Sequence, residues 1–206
     1  MSFEFERFEH KGLTIRIMND EDPMDPEEGD LPIYLVHFHR SFNRCPDGLP
    51  FSDPAGCEWL LFGPQDGDGF GDKAEWKEER EGWRVFLVDA YIHGGVRLAL
   101  RGSPEAGRFP DRQWDVSCCG AVLIKDDGEW DPIGEKLADE QAREMAEGHI
   151  KAWNTYLNGE VCGYTVERDV QCDSCGHVES EILESCWGFY DLEDCKREAK
   201  AAADAP

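Results

Sequence analysis

The sequence predicts an α+β fold: a central, mostly antiparallel sheet packed by one long helix, with a C-terminal β-hairpin and a short terminal helix. Three observations carry this expectation. Apolar runs with period-two alternation recur along the chain, one segment after residue 130 has the three-and-four spacing of an amphipathic helix, and the strand-like runs are separated by Gly-, Pro- and Asp-rich stretches. With 206 residues, 40% of them hydrophobic and 11% aromatic, the chain can bury a core without covalent staples. It reads as a single α+β domain over residues 1–206, with 160–206 as a hairpin subdomain that carries cysteines.

The elements follow in order. "LTIRIM" (13–18) alternates as a strand with Leu13, Ile15 and Ile17 on one face, and "PIYLVHFHR" (32–40) is a longer strand rich in aromatic and β-branched residues. Between them "NDEDPMDPEEGD" is a loop with two prolines and seven acids. Residues 44–72 are rich in Gly, Pro and Asp and form an irregular excursion with one short apolar burst, "WLLF". Asp66, Asp68 and Asp72 have part of the spacing of a calcium loop, and Gly71 suits its sixth position, but Lys77 stands where the loop needs a bidentate Glu.

"GWRVFLVDAYIHGGVRLAL" (82–100) and "WDVSCCGAVLI" (114–124) supply the central strands. Within the second, Cys118 and Cys119 read as one small buried hydrophobe and its strand neighbour. The long helix starts at Asp131-Pro132 and ends at Gly159. Ala138, Ala142, Met145, His149, Trp153 and Tyr156 form its buried face, while Glu135, Asp139, Glu140, Glu144 and Glu147 lie on the other. "EVCGYTVERDV" then leads as a strand into "CDSCGH", "EILESCWGF" returns, and "DLEDCKREAKAAADAP" closes the chain as a short amphipathic helix.

Charge is the strongest global signal: 45 Asp and Glu against 21 Lys and Arg leave a formal net charge of -24. Such a surface repels nucleic acid and acidic membranes and draws basic partners over long range. The acids are concentrated in residues 1–30, 63–81, 126–148 and 160–206, between nearly neutral apolar stretches. No apolar run reaches the roughly 20 residues needed to cross a bilayer, and the opening "MSFEFERFEH" lacks the basic and apolar regions of an export signal. Nine cysteines, an odd number, therefore read as reduced thiols in a cytoplasmic protein.

"AYIHGGVRLAL", "FPDRQWDVSCCGAVLI", "WNTYLNGEVCGYTVE" and "ESCWGFYDLEDC" together resemble a family of uncharacterised proteins encoded by bacteriophages and mobile elements, over about residues 89–192. The chain departs from the family pattern at Gly94, where Ser is usual, at Val116 and Ser117 for a Ser-Gly pair, at Cys162 for Tyr and at Glu184 for Asp. The resemblance implies a phage or mobile-element origin, an intracellular setting in a host cell and a role against the host or its defences. It implies no activity.

Four chemistries remain to weigh. Cys172 and Cys175 have the spacing of one zinc knuckle, and the remaining ligands of a structural zinc site would be Cys186 and Cys195, with His177 as a substitute. The alternative is a reduced turn with no metal. A redox role for the pair is disfavoured, because the flanks are strands rather than a helix N-terminus and Asp173 opposes the thiolate. His93 and Asp115 could meet as a His-carboxylate pair, but no nucleophile motif accompanies them. His37 and His39 share one strand face, a placement that suits packing or a metal.

Phosphate-binding glycine loops, His-Glu-x-x-His and Gly-x-Ser-x-Gly are all absent, so the chain reads as a non-enzyme. The expected partner is the basic surface of a host nucleic-acid-binding protein or complex, met by acids that imitate nucleic-acid phosphates. The candidate contact residues are Asp126, Asp127, Glu129, Glu135, Asp139, Glu140, Glu144 and Glu147, with Asp20, Glu21 and Asp22 in support. The alternative is a zinc-stabilised interaction module whose acidity serves solubility alone.

Overall fold

Lys11 and Gly12 both take positive φ, 49° and 79°, and turn strand β1 (Glu4–His10) back onto β2 (Leu13–Asn19). Two consecutive left-handed residues match the right-handed twist of the strands they join. In the computed structural model, residues 3–28, 32–46, 82–111, 114–126 and 137–205 are described, without the side chains of Cys118 and Cys119. The expected start of the long helix at Asp131-Pro132, the calcium-like aspartates and the roles given to Cys118 and Cys119 lie outside these residues.

The elements confirm an α+β fold, with the strands in two antiparallel sheets rather than one central sheet. The chain divides into two compact units, residues 1–26 with 155–206, and residues 27–154. No helix among the described residues is long and apolar enough to cross a membrane.

The first unit holds a four-stranded sheet in the order β1-β2-β8-β9, where β8 is Cys162–Gln171 and β9 is Val178–Phe189. β2 and β8 pair antiparallel from Thr14↔Glu167 to Asn19↔Cys162, so the N-terminal hairpin and the C-terminal hairpin form one sheet. Alternation places Ile15, Ile17, Cys162, Tyr164 and Val166 on one face, packed against Cys195, Ala199 and Ala203 of a terminal helix, Leu192–Asp204. Asp191 caps that helix by accepting from the Glu193 and Asp194 N–H groups.

The second unit holds a five-stranded sheet in the order β4-β3-β7-β5-β6. Its strands are β3 (Ile33–His39), β4 (Phe42–Arg44), β5 (Trp83–Ile92), β6 (Val96–Leu100) and β7 (Val116–Lys125). After β6 comes a single turn of helix, α1 (Pro104–Gly107), capped by the Ser103 hydroxyl. The long helix α2 (Asp139–Leu157) buries Ala142, Ala146, His149, Ile150 and Trp153, and the terminal helix is α3. Asn154 holds α2 to β6 by accepting from the Leu98 N–H at 2.7 Å and donating to the Leu98 carbonyl at 2.9 Å. One side-chain amide thereby satisfies both backbone groups at a sheet edge.

Gly159, at φ 67°, ends α2 in a left-handed cap, with the Glu160 N–H on the Thr155 carbonyl and the Gly159 N–H on the Tyr156 carbonyl. Of the face expected from spacing, Ala142, His149 and Trp153 are buried, Met145 and Tyr156 are half-buried and Ala138 is exposed. The stripe is therefore shifted toward Ala146 and Ile150.

Gly163 is required by a close approach rather than by its backbone angle. A Cβ there would stand 2.6 Å from Trp187 Cδ2 and 2.7 Å from the Cys186 carbonyl oxygen. Gly163→Ala should lower stability by about 1–3 kcal/mol through overpacking. Urea unfolding should show it as a lower midpoint at unchanged slope.

Candidate functional site

At 100° per residue, Glu140, Glu144 and Glu147 fall within an arc of about 60° on α2, and the helix spans about 12 Å between Asp139 and Glu147. All four acids are exposed; Glu140, Glu144 and Glu147 lie on the side away from buried Ala142, Ala146, His149 and Trp153, whereas Asp139, the first residue of the helix, falls about 20° from Ala146 in helical angle. Asp139 Oδ1 accepts from Arg84 Nη1 at 2.6 Å, and Glu147 Oε1 lies 3.0 Å from Arg143 Nε on the next turn. Solvent screens both pairs, so they restrain these carboxylates only weakly.

The other expected contact acids are placed differently. Asp126 is 4% exposed and does not present a surface charge. Its carboxylate accepts from Arg84 Nε at 2.7 Å and from the Leu137 N–H at 3.0 Å, joining the end of β7 to β5 and the approach to α2. Burial with two donors makes it part of the framework. Asp20 is half-buried and accepts from the Asp22 N–H at 3.1 Å, an Asx-type turn that orders the acidic loop, while Glu21 and Asp22 are exposed. Asp127, Glu129 and Glu135 lie outside the described residues.

The four cysteines expected around zinc are not brought together. Cys172 and Cys175 sit exposed at the β8–β9 turn, which is closed by the Cys172 N–H on the His177 carbonyl and the Gly176 N–H on the Cys172 carbonyl, each at 2.8 Å. Gly176 takes φ 72° to complete it. Cys186 pairs with Tyr164, seven ladder positions from Gln171, which at the rise of a strand is roughly 23 Å away. Cys195 is fully buried against Cys162, and that contact together with burial pushes its thiol up. Among the described residues, no three of His, Cys, Asp and Glu are grouped to hold a metal.

The Cys172 thiol is lowered to about 6 by the Ser174 hydroxyl and by the backbone N–H groups of Ser174 and Cys175. Its Sγ lies 3.1 Å from Ser174 Oγ. The turn thus favours a thiolate, the form that binds metal.

His93 and Asp115 do meet, with Nδ1 3.1 Å from Oδ2, but the imidazole side chain is 70% exposed and stacks beside Tyr91. The pair lies at the surface. His37 is fully buried with Nδ1 2.9 Å from the Phe42 carbonyl, and burial lowers its pKa. His39 Nδ1 accepts from the Ser41 N–H.

A buried polar cluster in the second unit had no local signal in the sequence. Glu27, from the acidic loop, has a side chain only 5% exposed, and its carboxylate meets Arg44 Nη2 at 2.8 Å, His149 Nε2 at 3.3 Å and the Leu35 N–H at 2.5 Å. The Arg44 guanidinium lies 4.2 Å from the centre of a Trp153 ring. In sequence Glu27 is one of seven loop acids, and only the fold separates it from the rest.

Comparison with protein-family models, with curated proteins and with solved structures finds no match.

The Glu27 cluster has a pH consequence. Burial alone would raise this carboxyl, but hydrogen bonds from His149, Arg44 and the Leu35 N–H outweigh it and hold it below the ordinary 4.5. As pH falls, the unfolded chain takes up the proton first, so the stability from Glu27 is present above about 4.5 and is lost as pH drops through the native value. Glu27→Gln should flatten the stability–pH curve below 4.5 and cost about 1–3 kcal/mol at pH 7. Urea titrations from pH 3 to 7 check both.

Proposed function

We propose that the protein is a cytoplasmic inhibitor encoded by a phage or mobile element, which blocks a host nucleic-acid-binding defence complex through an acidic, phosphate-imitating surface. Its targets are a CRISPR surveillance complex, a restriction enzyme or another nuclease. The observation that carries this reading is the exposed acidic face of α2. On that face Glu140, Glu144 and Glu147 set three carboxylates over about 10 Å of axis, roughly one per 5 Å, a run of negative charge on the scale of a few phosphates of one DNA strand. A packed helix holds them with little ordering left to do on binding.

The chain's net charge of -24 adds long-range attraction to a basic groove. Lys and Arg that hold phosphates would pair instead with Glu140, Glu144 and Glu147. The sequence resemblance to phage and mobile-element proteins supports the setting.

A second reading is favoured by the Cys172–Cys175 turn: a zinc-stabilised interaction module whose acidity serves only solubility. Charge reversal separates the two. Glu140→Lys, Glu144→Lys and Glu147→Lys together should leave the thermal midpoint nearly unchanged, since all three side chains are exposed. They should weaken binding to a host nucleic-acid-binding complex at least about tenfold at low salt, equivalent to ~1.4 kcal/mol. Capture from host lysate by the unaltered protein should also fall as salt rises. Unchanged binding and inhibition by the triple variant would sink the acidic-surface reading.

A further inference from the structure

The β8–β9 hairpin outruns the sheet that carries it. β2 pairs with β8 only as far as Glu167, but β8 and β9 continue together through Arg168↔Glu181, Asp169↔Ser180, Val170↔Glu179 and Gln171↔Val178. Four further pairs make a two-stranded arm about 13 Å long. Every residue from 168 to 187 is exposed. Cys172 and Cys175 stand at the end of this arm.

The turn is built rather than loose. Its two backbone hydrogen bonds and left-handed Gly176 fix the chain around both cysteines, and Gln171 Nε2 donates to the Gly176 carbonyl at 3.3 Å. A Cys-x-x-Cys turn of this kind can direct two sulfurs at one ion, which is half of what tetrahedral zinc requires. The described part of the chain offers no other half near it: no third ligand is grouped with the pair, Cys186 lies beyond the arm in the sheet opposite Tyr164, and Cys195 is buried.

We propose that Cys172 and Cys175 form half of a zinc site that a second copy of this chain completes, with one ion held by four thiolates at two joined hairpin tips. The proposal rests on the metal-binding reading of the turn and is independent of the acidic-surface reading. A two-fold axis through the ion makes the contact isologous, so the same turn supplies both halves. Val170 and Val178, 43% and 51% exposed beside the turn, are the apolar surface that such a contact would cover.

The length of the arms moderates the repulsion between the first units. Two arms laid end to end keep their sheets roughly 26 Å apart, about three times the Debye length at physiological salt. The repulsion between those two sheets is then largely screened, while Asp169, Asp173 and Glu179 stay near the joined tips and the divalent ion offsets only half of the charge of the four thiolates, so the association should strengthen with salt.

The test uses the full chain, reduced, stripped of metal and then loaded with zinc. Metal analysis should give about one zinc per two chains, and native mass spectrometry should show the mass doubling with zinc and returning to one chain with chelator. Loading with Co(II) should give the visible absorption of a tetrathiolate site. Cys172→Ser with Cys175→Ser should abolish both zinc uptake and dimer while keeping the thermal midpoint. Should that variant fail to fold, the chelator-dependent mass of the unaltered chain decides alone.

One zinc per chain in a monomer would overturn the shared site while leaving metal binding in place. No zinc uptake at all would remove both. A dimer that persists in the double variant or in chelator also overturns the proposal.

Discussion

The antiparallel pairing of β2 with β8 is the constraint on which the first unit depends. It joins residue 14 to residue 167 and residue 19 to residue 162, closing a loop that contains the whole second unit. Closing so long a loop is costly in chain entropy, although the cost grows only with the logarithm of its length. What offsets it is the burial of Ile15, Ile17, Tyr164 and Val166 against Cys195, Ala199 and Ala203. Without that sheet face α3 has nowhere to place its small apolar stripe, and the β8–β9 hairpin would stand alone at marginal stability.

The acidity of the chain is divided between two uses. Asp89, Asp126, Glu27 and Glu167 are removed from solvent and held by arginines at Arg101, Arg84, Arg44 and Arg16 respectively. Each of these carboxylates is 6% exposed or less, so each belongs to the framework. Glu167 also accepts from the Thr165 and Ser180 hydroxyls. Net charge read from sequence therefore overstates what a partner can meet, because some of the acid is matched internally. The acids on the outer side of α2 are of the other kind, since nothing buries them.

Strands were legible wherever alternation was strong. The runs at 13–18, 32–40, 82–100, 114–124 and 160–170 correspond to β2, β3, β5 with β6, β7 and β8, because period-two burial leaves a direct imprint on residue choice. Sheet membership was not legible, since nothing in "LTIRIM" says that its partner lies near residue 165 rather than residue 35. β1 was not anticipated: Glu4, Glu6 and Glu9 mask its alternation, although Phe5 and Phe8 pack on the first unit's core. At the candidate site, helical spacing sufficed for Glu140, Glu144 and Glu147. Asp126 and Glu27 escaped, because burial of a carboxylate is decided by a distant arginine. Within the resemblance motifs, Trp153 is buried and Asn154 bridges to Leu98, so those residues serve the fold where they are described.

β9 is a sheet edge of twelve residues with Ile182, Leu183 and Trp187 open to solvent, an arrangement that invites uncontrolled strand addition. Its ladder with β8 is interrupted twice, between Val166 and Glu167 and between Cys162 and Tyr164, and the second break falls at Gly188, with φ 87°. Each break bends the strand and throws the outward backbone groups out of register. Glu179, Glu181 and Glu184 add like charge along the same border. A strand so interrupted cannot template a long copy of itself, so the chain can keep apolar side chains at its margin at high concentration without seeding fibrils.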